Sequence, residues 1–174
     1  IFGLLSIGGP LIDNGHDVTL LDAELGPMSL KRIADRIKAH APDLLLIGHS
    51  GSTSAHPIAA SIAQRGKRDL PTLRVIYGGV FPTYHWRDVL LYHTEFDYIV
   101  RGEGEETCSA LVRSLADGID LGAVNGIAFR ANGAIVSTPP RALSRDLDAY
   151  RIGWELINFA DYSYWGRKRA VVVQ

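Results

Sequence analysis

Cysteine is nearly absent from this 174-residue chain, whose one thiol belongs to Cys108. A single cysteine excludes an intrachain disulfide and a cysteine-rich metal site. Cys108 shares a helical spacing with Leu111, Val112 and Leu115, so we predict a thiol in the core rather than a nucleophile.

Long apolar runs and clusters of charge are also missing. No apolar stretch approaches the roughly 20 residues of a membrane-spanning helix, so we predict no membrane span. The net charge is -1 and the densest basic run is only Arg167-Lys168-Arg169, which argues against nucleic-acid binding. No signal peptide is visible, and we expect a cytoplasmic protein. The chain starts at Ile1 rather than at methionine, which suggests an excised piece.

Common catalytic and phosphate-binding motifs do not occur, so we predict no catalytic residue and no metal site. None of the six histidines lies in an HExxH or similar spacing, and there is no P-loop. The run GEGEET from Gly102 has only the first two glycines of a dinucleotide fingerprint. His49, at a predicted strand end, is either a ligand contact or a histidine bonded to a neighbouring loop. Glu103, Glu105 and Glu106 could form an acid pair or contact a ligand, although carboxylates that stabilise a helix N-terminus are the commoner explanation for Glu105 and Glu106.

A regular alternation of strand and helix patterns organises the chain. Short apolar runs predict strands at 17–22, 43–49, 73–79 and 96–100, with amphipathic helical segments between them. This alternation is typical of a Rossmann-like or flavodoxin-like α/β fold, in which helices cover both faces of a mostly parallel sheet. The chain opens on a helical pattern, whereas such a domain begins with a strand. We therefore infer a first strand upstream of Ile1.

The pattern changes after residue 120. Two short strands flank Ala131-Asn132-Gly133, which predicts a β-hairpin with Gly133 in the left-handed conformation. Residues 141–168 form a loop-rich tail, and residues 169–174 predict a strand that could fill the slot of the missing first strand. These boundaries divide the chain into an α/β domain at 1–120, a hairpin extension at 121–148 and a linker at 149–174.

Three predicted strand ends, at 49–53, 78–83 and 101–105, are rich in glycine and hydroxyl-bearing residues. The ends of parallel strands meet at the carboxyl edge of the sheet, where open α/β folds bind their ligands. Gly78 and Gly79 lack a Cβ and permit a ligand to approach the backbone closely. Any one of these loops could be a simple glycine-tolerant connection, but three in succession favour a large ligand.

The segments DLLLIGHSGST, VIYGGVFPT and FDYIVRGEGEET occur in this order and are followed by GIAFR and TPPR. Together they resemble the cobalamin-binding domain of cobalamin-dependent radical SAM enzymes over residues 3–148. The resemblance implies that cobalamin lies on the carboxyl edge, with its nucleotide tail between two loops. The chain has no DxHxxG motif, which supplies an axial histidine in other cobalamin proteins, and the family that it resembles lacks that motif too. The cofactor-binding residues implied by the resemblance are Ser50, Gly51, Ser52, Thr53, Gly78, Gly79, Phe81, Pro82, Thr83, Gly102, Glu103 and Gly104.

The tail from residue 147 resembles that of the radical SAM oxidative cyclases of bacteriochlorophyll biosynthesis. That resemblance implies a following radical SAM barrel as the partner of this domain, with a 4Fe-4S cluster, S-adenosylmethionine and a porphyrin substrate bound mainly outside the present residues. The domain alone would not be catalytic. A radical SAM methylase stays open as an alternative, as does a flavodoxin-like nucleotide-binding or signalling module with Asp22 as its one candidate phospho-acceptor. Valine at Gly78 or Gly79 is expected to block cobalamin binding and leave the fold largely intact.

Overall fold

A computed structural model describes residues 1–23, 25–26, 28–49 and 53–162 of the chain. The helices are α1 (Phe2–Asp13), α2 (Leu30–His40), α3 (His56–Asp69), α4 (Val80–Tyr92) and α5 (Glu105–Asp117). The strands are β1 (Leu44–His49), β2 (Arg74–Gly79), β3 (Tyr98–Val100), β4 (Ile127–Ala131) and β5 (Ala134–Ser137). Short 3-10 turns lie at Thr53–Ala55, Leu121–Ala123, Leu147–Ala149, Trp154–Leu156 and Phe159–Asp161.

Local sequence signals explain where several of these elements begin and end. The Ser29 hydroxyl accepts a hydrogen bond from the backbone N–H of Arg32 and caps α2, as its position before an amphipathic run predicts. Gly118 ends α5 in the left-handed conformation that glycine adopts without steric cost. Asn132 and Gly133 both have positive φ in the two-residue turn between β4 and β5, so the predicted hairpin is confirmed.

The strands form one sheet in the order β1-β2-β3-β4-β5 within the described part of the chain. The pairs β1–β2 and β2–β3 are parallel, and β3–β4 and β4–β5 are antiparallel. The predicted α/β fold is therefore confirmed, with an antiparallel hairpin continuing three parallel strands. In β1 and β2, Gly48 lies beside Gly78 and His49 beside Gly79, so both strands end at the same edge.

Each face of the sheet carries its own apolar core. One core joins α2, α3 and α4 to the sheet and is centred on Tyr77 and Phe96, which are fully buried. The other joins α1 and α5 to the opposite face and contains Leu111 and Cys108. Burial, with a smaller contribution from the nearby Glu105 carboxylate, raises the pKa of the Cys108 thiol to about 12. The predicted core thiol is confirmed.

The predicted strand at 17–22 is wrong, because this segment forms no ladder in the structure as described. A strand needs a neighbour for its backbone hydrogen bonds, and β1 pairs only with β2 among the described strands. The segment is still apolar for a reason, since Val18 packs against the α1/α5 core and Leu21 against the opposite one. The predicted strand at 169–174 lies outside the described residues.

The segment that follows the hairpin packs against α1. The backbone N–H of Gly153 donates to the carbonyl of Leu5 at 3.0 Å. A Cβ on Gly9 would lie 1.9 Å from the carbonyl oxygen of Arg151, so only glycine permits this contact. The Arg151 guanidinium also pairs with Asp13 at 2.9 Å. The first part of the predicted linker is thus docked on the domain.

Among the described residues, no helix is long and apolar enough to cross a bilayer.

Candidate functional site

The three predicted strand ends meet at the carboxyl edge of the sheet. Thr53 lies in the 3-10 turn before α3, while Ser50, Gly51 and Ser52 lie outside the described residues. The other eight predicted site residues lie at the ends of β2 and β3 or in the first turns that follow them: Gly78, Gly79, Phe81, Pro82, Thr83, Gly102, Glu103 and Gly104. The structure therefore brings the described candidates together at one edge.

Thr83 joins two of these loops through its hydroxyl group. The hydroxyl donates to the carbonyl of Gly79 at 2.8 Å and accepts from the backbone N–H of Gly102 at 3.0 Å. One side chain therefore fixes the spacing between the loop after β2 and the loop after β3. The sequence pattern placed Thr83 at the edge, but it did not reveal that the Thr83 hydroxyl links the two loops.

The glycines at the edge differ in whether their position tolerates a side chain. Gly79 has φ 109°, which L side chains rarely adopt, so valine at Gly79 would strain the turn. A Cβ on Gly78 would meet only Val100, at 3.7 Å and 3.8 Å, which is ordinary contact. A Cβ on Gly102 would meet nothing within 4 Å. The fold thus accepts a Cβ at Gly78, whereas the positive φ angles of Gly79 and of Gly102 (77°) disfavour any side chain there. The expectation that valine at Gly79 leaves the fold largely intact conflicts with this backbone conformation.

Gly48 is a further glycine at this edge of the sheet and was not among the predicted site residues. It lies beside Gly78 in the register of β1 and β2, so neighbouring strands lack side chains at the same level. A Cβ on Gly48 would lie 3.2 Å from Cδ2 of Leu4 in α1. A glycine inside an otherwise aliphatic strand was the signal that could have identified it.

Phe81 and Pro82 do not form an open loop, because α4 begins directly after Gly79. Pro82 is buried in the first helical turn, where a missing N–H costs no helical hydrogen bond. The Phe81 ring stacks between His56, at 4.5 Å between centroids, and His85, at 4.6 Å. These two residues therefore support the edge from behind.

Glu103 anchors the segment that follows the hairpin. Its carboxylate accepts from the backbone N–H of Ser144 at 2.7 Å. The neighbouring Gly104 lies against α1, since a Cβ there would be 3.1 Å from Cδ1 of Ile7. The Arg141 guanidinium pairs with Glu106 in the first turn of α5. A ligand at this end of the edge would meet a carboxylate that already has a protein partner.

Arg101 is a charged residue at the edge that sequence reasoning missed. Its guanidinium lies 5.4 Å from the centroid of the Trp86 ring and donates to the carbonyl of Thr138. Desolvation lowers the pKa of Arg101 from its ordinary value. Since Trp86 and Thr138 are distant in the sequence, no local pattern marks this cation–π contact.

Three helices begin at this edge of the sheet. The first turns of α3, α4 and α5 point at it, and the N-termini of helices carry partial positive charge. The described residues contain no group of three or more histidine, cysteine or acidic side chains that could hold a metal ion. Asp22, the candidate phospho-acceptor, accepts a hydrogen bond from the Tyr162 hydroxyl at 3.1 Å. Burial and this carboxylate raise the pKa of Tyr162 to about 12.

The glycine-rich edge can be compared with known protein families. The profile of the family described as "B12 binding domain" matches residues 2–112, which include the ends of β1, β2 and β3. The chain belongs to the B12-binding domain family. The matched range includes all the candidate site residues of this B12-binding domain.

The chain is 56% identical over 172 residues to the anaerobic magnesium-protoporphyrin IX monomethyl ester cyclase of Synechocystis sp., covering 99% of this chain and 34% of the relative. It is 29% identical over 164 residues to an uncharacterized methyltransferase of Pyrococcus horikoshii, covering 94% of this chain and 35% of the relative. The B12-binding domain thus spans about a third of the length of these curated relatives.

Solved structures share the fold. A radical S-adenosylmethionine methyltransferase, TsrM, from Kitasatospora setae with cobalamin and a [4Fe-4S] cluster bound matches with a TM-score of 0.68 at 17% identity. The match covers 98% of this chain and 33% of that chain. At this identity the likeness confirms the α/β architecture of the B12-binding domain and carries no residue assignment.

Proposed function

We propose that this domain binds cobalamin at the carboxyl edge of its sheet, with the nucleotide tail of the cofactor between the loops after β1 and β2. The observation that carries the proposal is Gly78, where a Cβ would make only ordinary contact with Val100, so the fold does not itself require glycine there. Membership of the B12-binding domain family supports cobalamin as the ligand. A bound cobalamin would supply a cobalt centre whose oxidation state can change.

The loops have distinct roles in this proposal. Thr53 lies on the β1 side of the proposed cleft and offers a hydroxyl group to the polar edges of the tail. Ser50, Gly51 and Ser52, which precede it in the sequence, stay proposed cofactor-binding residues. Gly78 and Gly79 form the opposite wall, and the loop from Gly102 to Gly104 lies along the corrin ring. Thr83 keeps the second and third loops at a fixed spacing. Phe81 and Pro82 support the wall from behind.

The test is a titration of the purified chain with hydroxocobalamin, followed by the corrin absorption spectrum and by calorimetry. We expect saturable binding of one cobalamin per chain with a change in the visible spectrum. Circular dichroism first verifies that the chain is folded. A folded chain that shows neither heat nor a spectral change at high micromolar cobalamin would refute the proposal.

We further propose that the whole protein is a radical SAM oxidative cyclase that closes the isocyclic ring of magnesium-protoporphyrin IX monomethyl ester. Identity of 56% over nearly the whole chain to a cyclase supports this assignment. A 4Fe-4S cluster and S-adenosylmethionine would be bound by a radical SAM barrel outside the present residues, because this chain has one cysteine and that thiol is buried. The role of the domain is to present cobalamin to that barrel.

A second candidate is a cobalamin-dependent radical SAM methylase. The similarity to a methyltransferase of Pyrococcus horikoshii favours it, although that identity is only 29%. The two candidates differ in their product. Incubation of the whole protein with reductant, S-adenosylmethionine and the magnesium porphyrin ester, followed by mass spectrometry, distinguishes a ring-closed product from a substrate that has gained a methyl group.

A further inference from the structure

Two motifs from the sequence analysis, RGEGEET at 101–107 and TPPR at 138–141, contact each other in the structure. The Arg141 guanidinium pairs with the Glu106 carboxylate and donates to the Thr107 hydroxyl at 3.0 Å. Thr107 is fully buried, so this hydrogen bond fixes the end of TPPR against the first turn of α5. Cofactor contact by the glycines of the first motif does not explain these polar contacts.

Two more contacts join the first motif to the segment that follows β5, close to the proposed cobalamin loop. The Arg101 guanidinium donates to the carbonyl of Thr138, 37 residues away. The Glu103 carboxylate accepts from the backbone N–H of Ser144 at 2.7 Å. The direction of this second bond is unambiguous, because a backbone N–H can only donate and a carboxylate accepts. The polar side chains on either side of Gly102 therefore both bind the segment that follows β5.

The cobalamin loop is held from two sides. It contains Gly102 and Gly104, and glycine restricts the backbone least of all residues. From α4, the Thr83 hydroxyl accepts from the N–H of Gly102 at 3.0 Å. From the segment beside α5, the N–H of Ser144 binds Glu103. Since α4 and α5 cover opposite faces of the sheet, the loop is fixed between two layers of the fold.

The segment that presents the Ser144 N–H is anchored both before and after that residue. Before it, the backbone N–H of Gly126 donates to the carbonyl of Pro139 at 2.8 Å. After it, the Tyr150 hydroxyl donates to the Glu106 carboxylate at 3.3 Å. The hairpin and α5 therefore determine the place from which Ser144 offers its N–H to the loop.

We propose that Glu103 is a positioning residue for cobalamin, which holds the loop in its binding position through the Ser144 N–H and not through contact with the cofactor. This inference rests on the proposed function. It gives TPPR a role, which is to fix the segment against which the loop is held. Loss of the bond would let the two glycines change conformation, so a smaller fraction of chains would present the loop to cobalamin.

The first test is a double-mutant cycle measured by titration with hydroxocobalamin. Glu103→Ala removes the acceptor, and Ser144→Pro removes the donor because proline has no backbone N–H. If about one chain in ten keeps the binding-competent loop, each variant raises the Kd about tenfold. Both changes remove the same bond, so the double variant should also lie about tenfold above wild type. A Kd about a hundredfold above wild type, as two independent effects would give, would overturn the proposal.

Leu143→Pro is the matched control for the backbone change. The Leu143 side chain is exposed and its N–H donates to no carbonyl in the described part of the chain, so this variant should bind as wild type does. Arg141→Gln loosens the segment without proline and should raise the Kd at least about threefold. It takes the place of Ser144→Pro in the cycle if circular dichroism shows that the proline prevents folding. Arg145→Gln makes the same change of charge at an exposed position and should bind normally.

The second test needs no cofactor and measures hydrogen exchange by mass spectrometry. Residues 101–104 should exchange at least about tenfold faster in Glu103→Ala and Ser144→Pro than in wild type, and at the wild-type rate in both controls. Unchanged exchange in a folded Ser144→Pro chain would overturn the proposal, as would a Glu103→Ala chain with a lower Tm and a wild-type Kd. A wild-type chain that binds no cobalamin would instead refute the proposed function, and the positioning role would be refuted along with it.

Discussion

Alanine at Gly78 should raise the stability of the domain and lower its affinity for cobalamin. The added Cβ would lie 3.7 Å from Cβ of Val100, so the sheet accommodates it without rearrangement. Replacing glycine at a compatible position stabilises a protein by about 0.4–1 kcal/mol, because the unfolded chain loses conformational freedom. For a chain of this size that corresponds to a rise of roughly 1–4 °C in Tm.

The same methyl group would lie at Gly78, next to Gly48 in the register of β1 and β2, where the cofactor tail is proposed to pass. We expect the Kd for hydroxocobalamin to rise at least tenfold, which corresponds to about 1.4 kcal/mol. A matched control is Gly118→Ala at the far end of α5. Its positive φ of 68° makes the substitution destabilising by about 1 kcal/mol, without a reason to affect binding.

The assay measures two quantities for both variants. Circular dichroism during heating gives the Tm, and a titration with hydroxocobalamin gives the Kd. The two variants should change in opposite ways: Gly78→Ala is more stable and binds cobalamin weakly, whereas Gly118→Ala is less stable and binds it normally. If Gly78→Ala binds cobalamin with wild-type affinity, the cofactor tail does not pass close to Gly78 and the proposed path of the tail is wrong.

Three further substitutions test separate contacts: the link between the two edge loops, the side-chain bonds near the start of β2, and the docked segment. Thr83→Val should lower the free energy of unfolding by about 0.5–1.5 kcal/mol and weaken cobalamin binding, with Thr83→Ser restoring both; no effect in urea denaturation would show that the two loops do not depend on its hydroxyl. Asp97→Ala should cost about 1–3 kcal/mol, because its carboxylate pairs with a lysine at 2.7 Å and accepts from a backbone N–H at 2.6 Å; Asp97→Asn should recover part of the loss, and equal losses would contradict the N–H contact. Gly9→Ala should release the docked segment and speed tryptic cleavage after Arg151, whereas Gly3→Ala in the same helix, with nothing within 4 Å, should not; equal cleavage rates would rule out the docking.

Sequence reasoning succeeded where the signal was local. Ser29 and Gly118 mark helix ends through their own backbone chemistry, and Asn132-Gly133 specifies a two-residue turn through two positive φ angles. The edge glycines were found in the same way, because Gly78 interrupts an apolar strand. Such features depend on a few consecutive residues, so the sequence displays them directly.

The failures all involve partners that are distant in the chain. The segment at 17–22 has the composition of a strand, but pairing depends on a neighbour that no local pattern supplies. His56 lies beside His93, 37 residues away in the sequence, and only the fold brings the two rings together. Arg101 likewise acquires its environment from Trp86 and Thr138. Long-range contacts of this kind follow from the whole topology rather than from spacing.

The docking of the segment after the hairpin on α1 decides where this domain can be cut or joined to another protein. A chain shortened to residue 148 would lose the Gly153 N–H that bonds Leu5, and it would expose the bare face of Gly9 to water. A fusion point or protease site after residue 157 keeps that face covered. For protein engineering, the unit to keep intact therefore extends at least nine residues beyond the predicted boundary at residue 148.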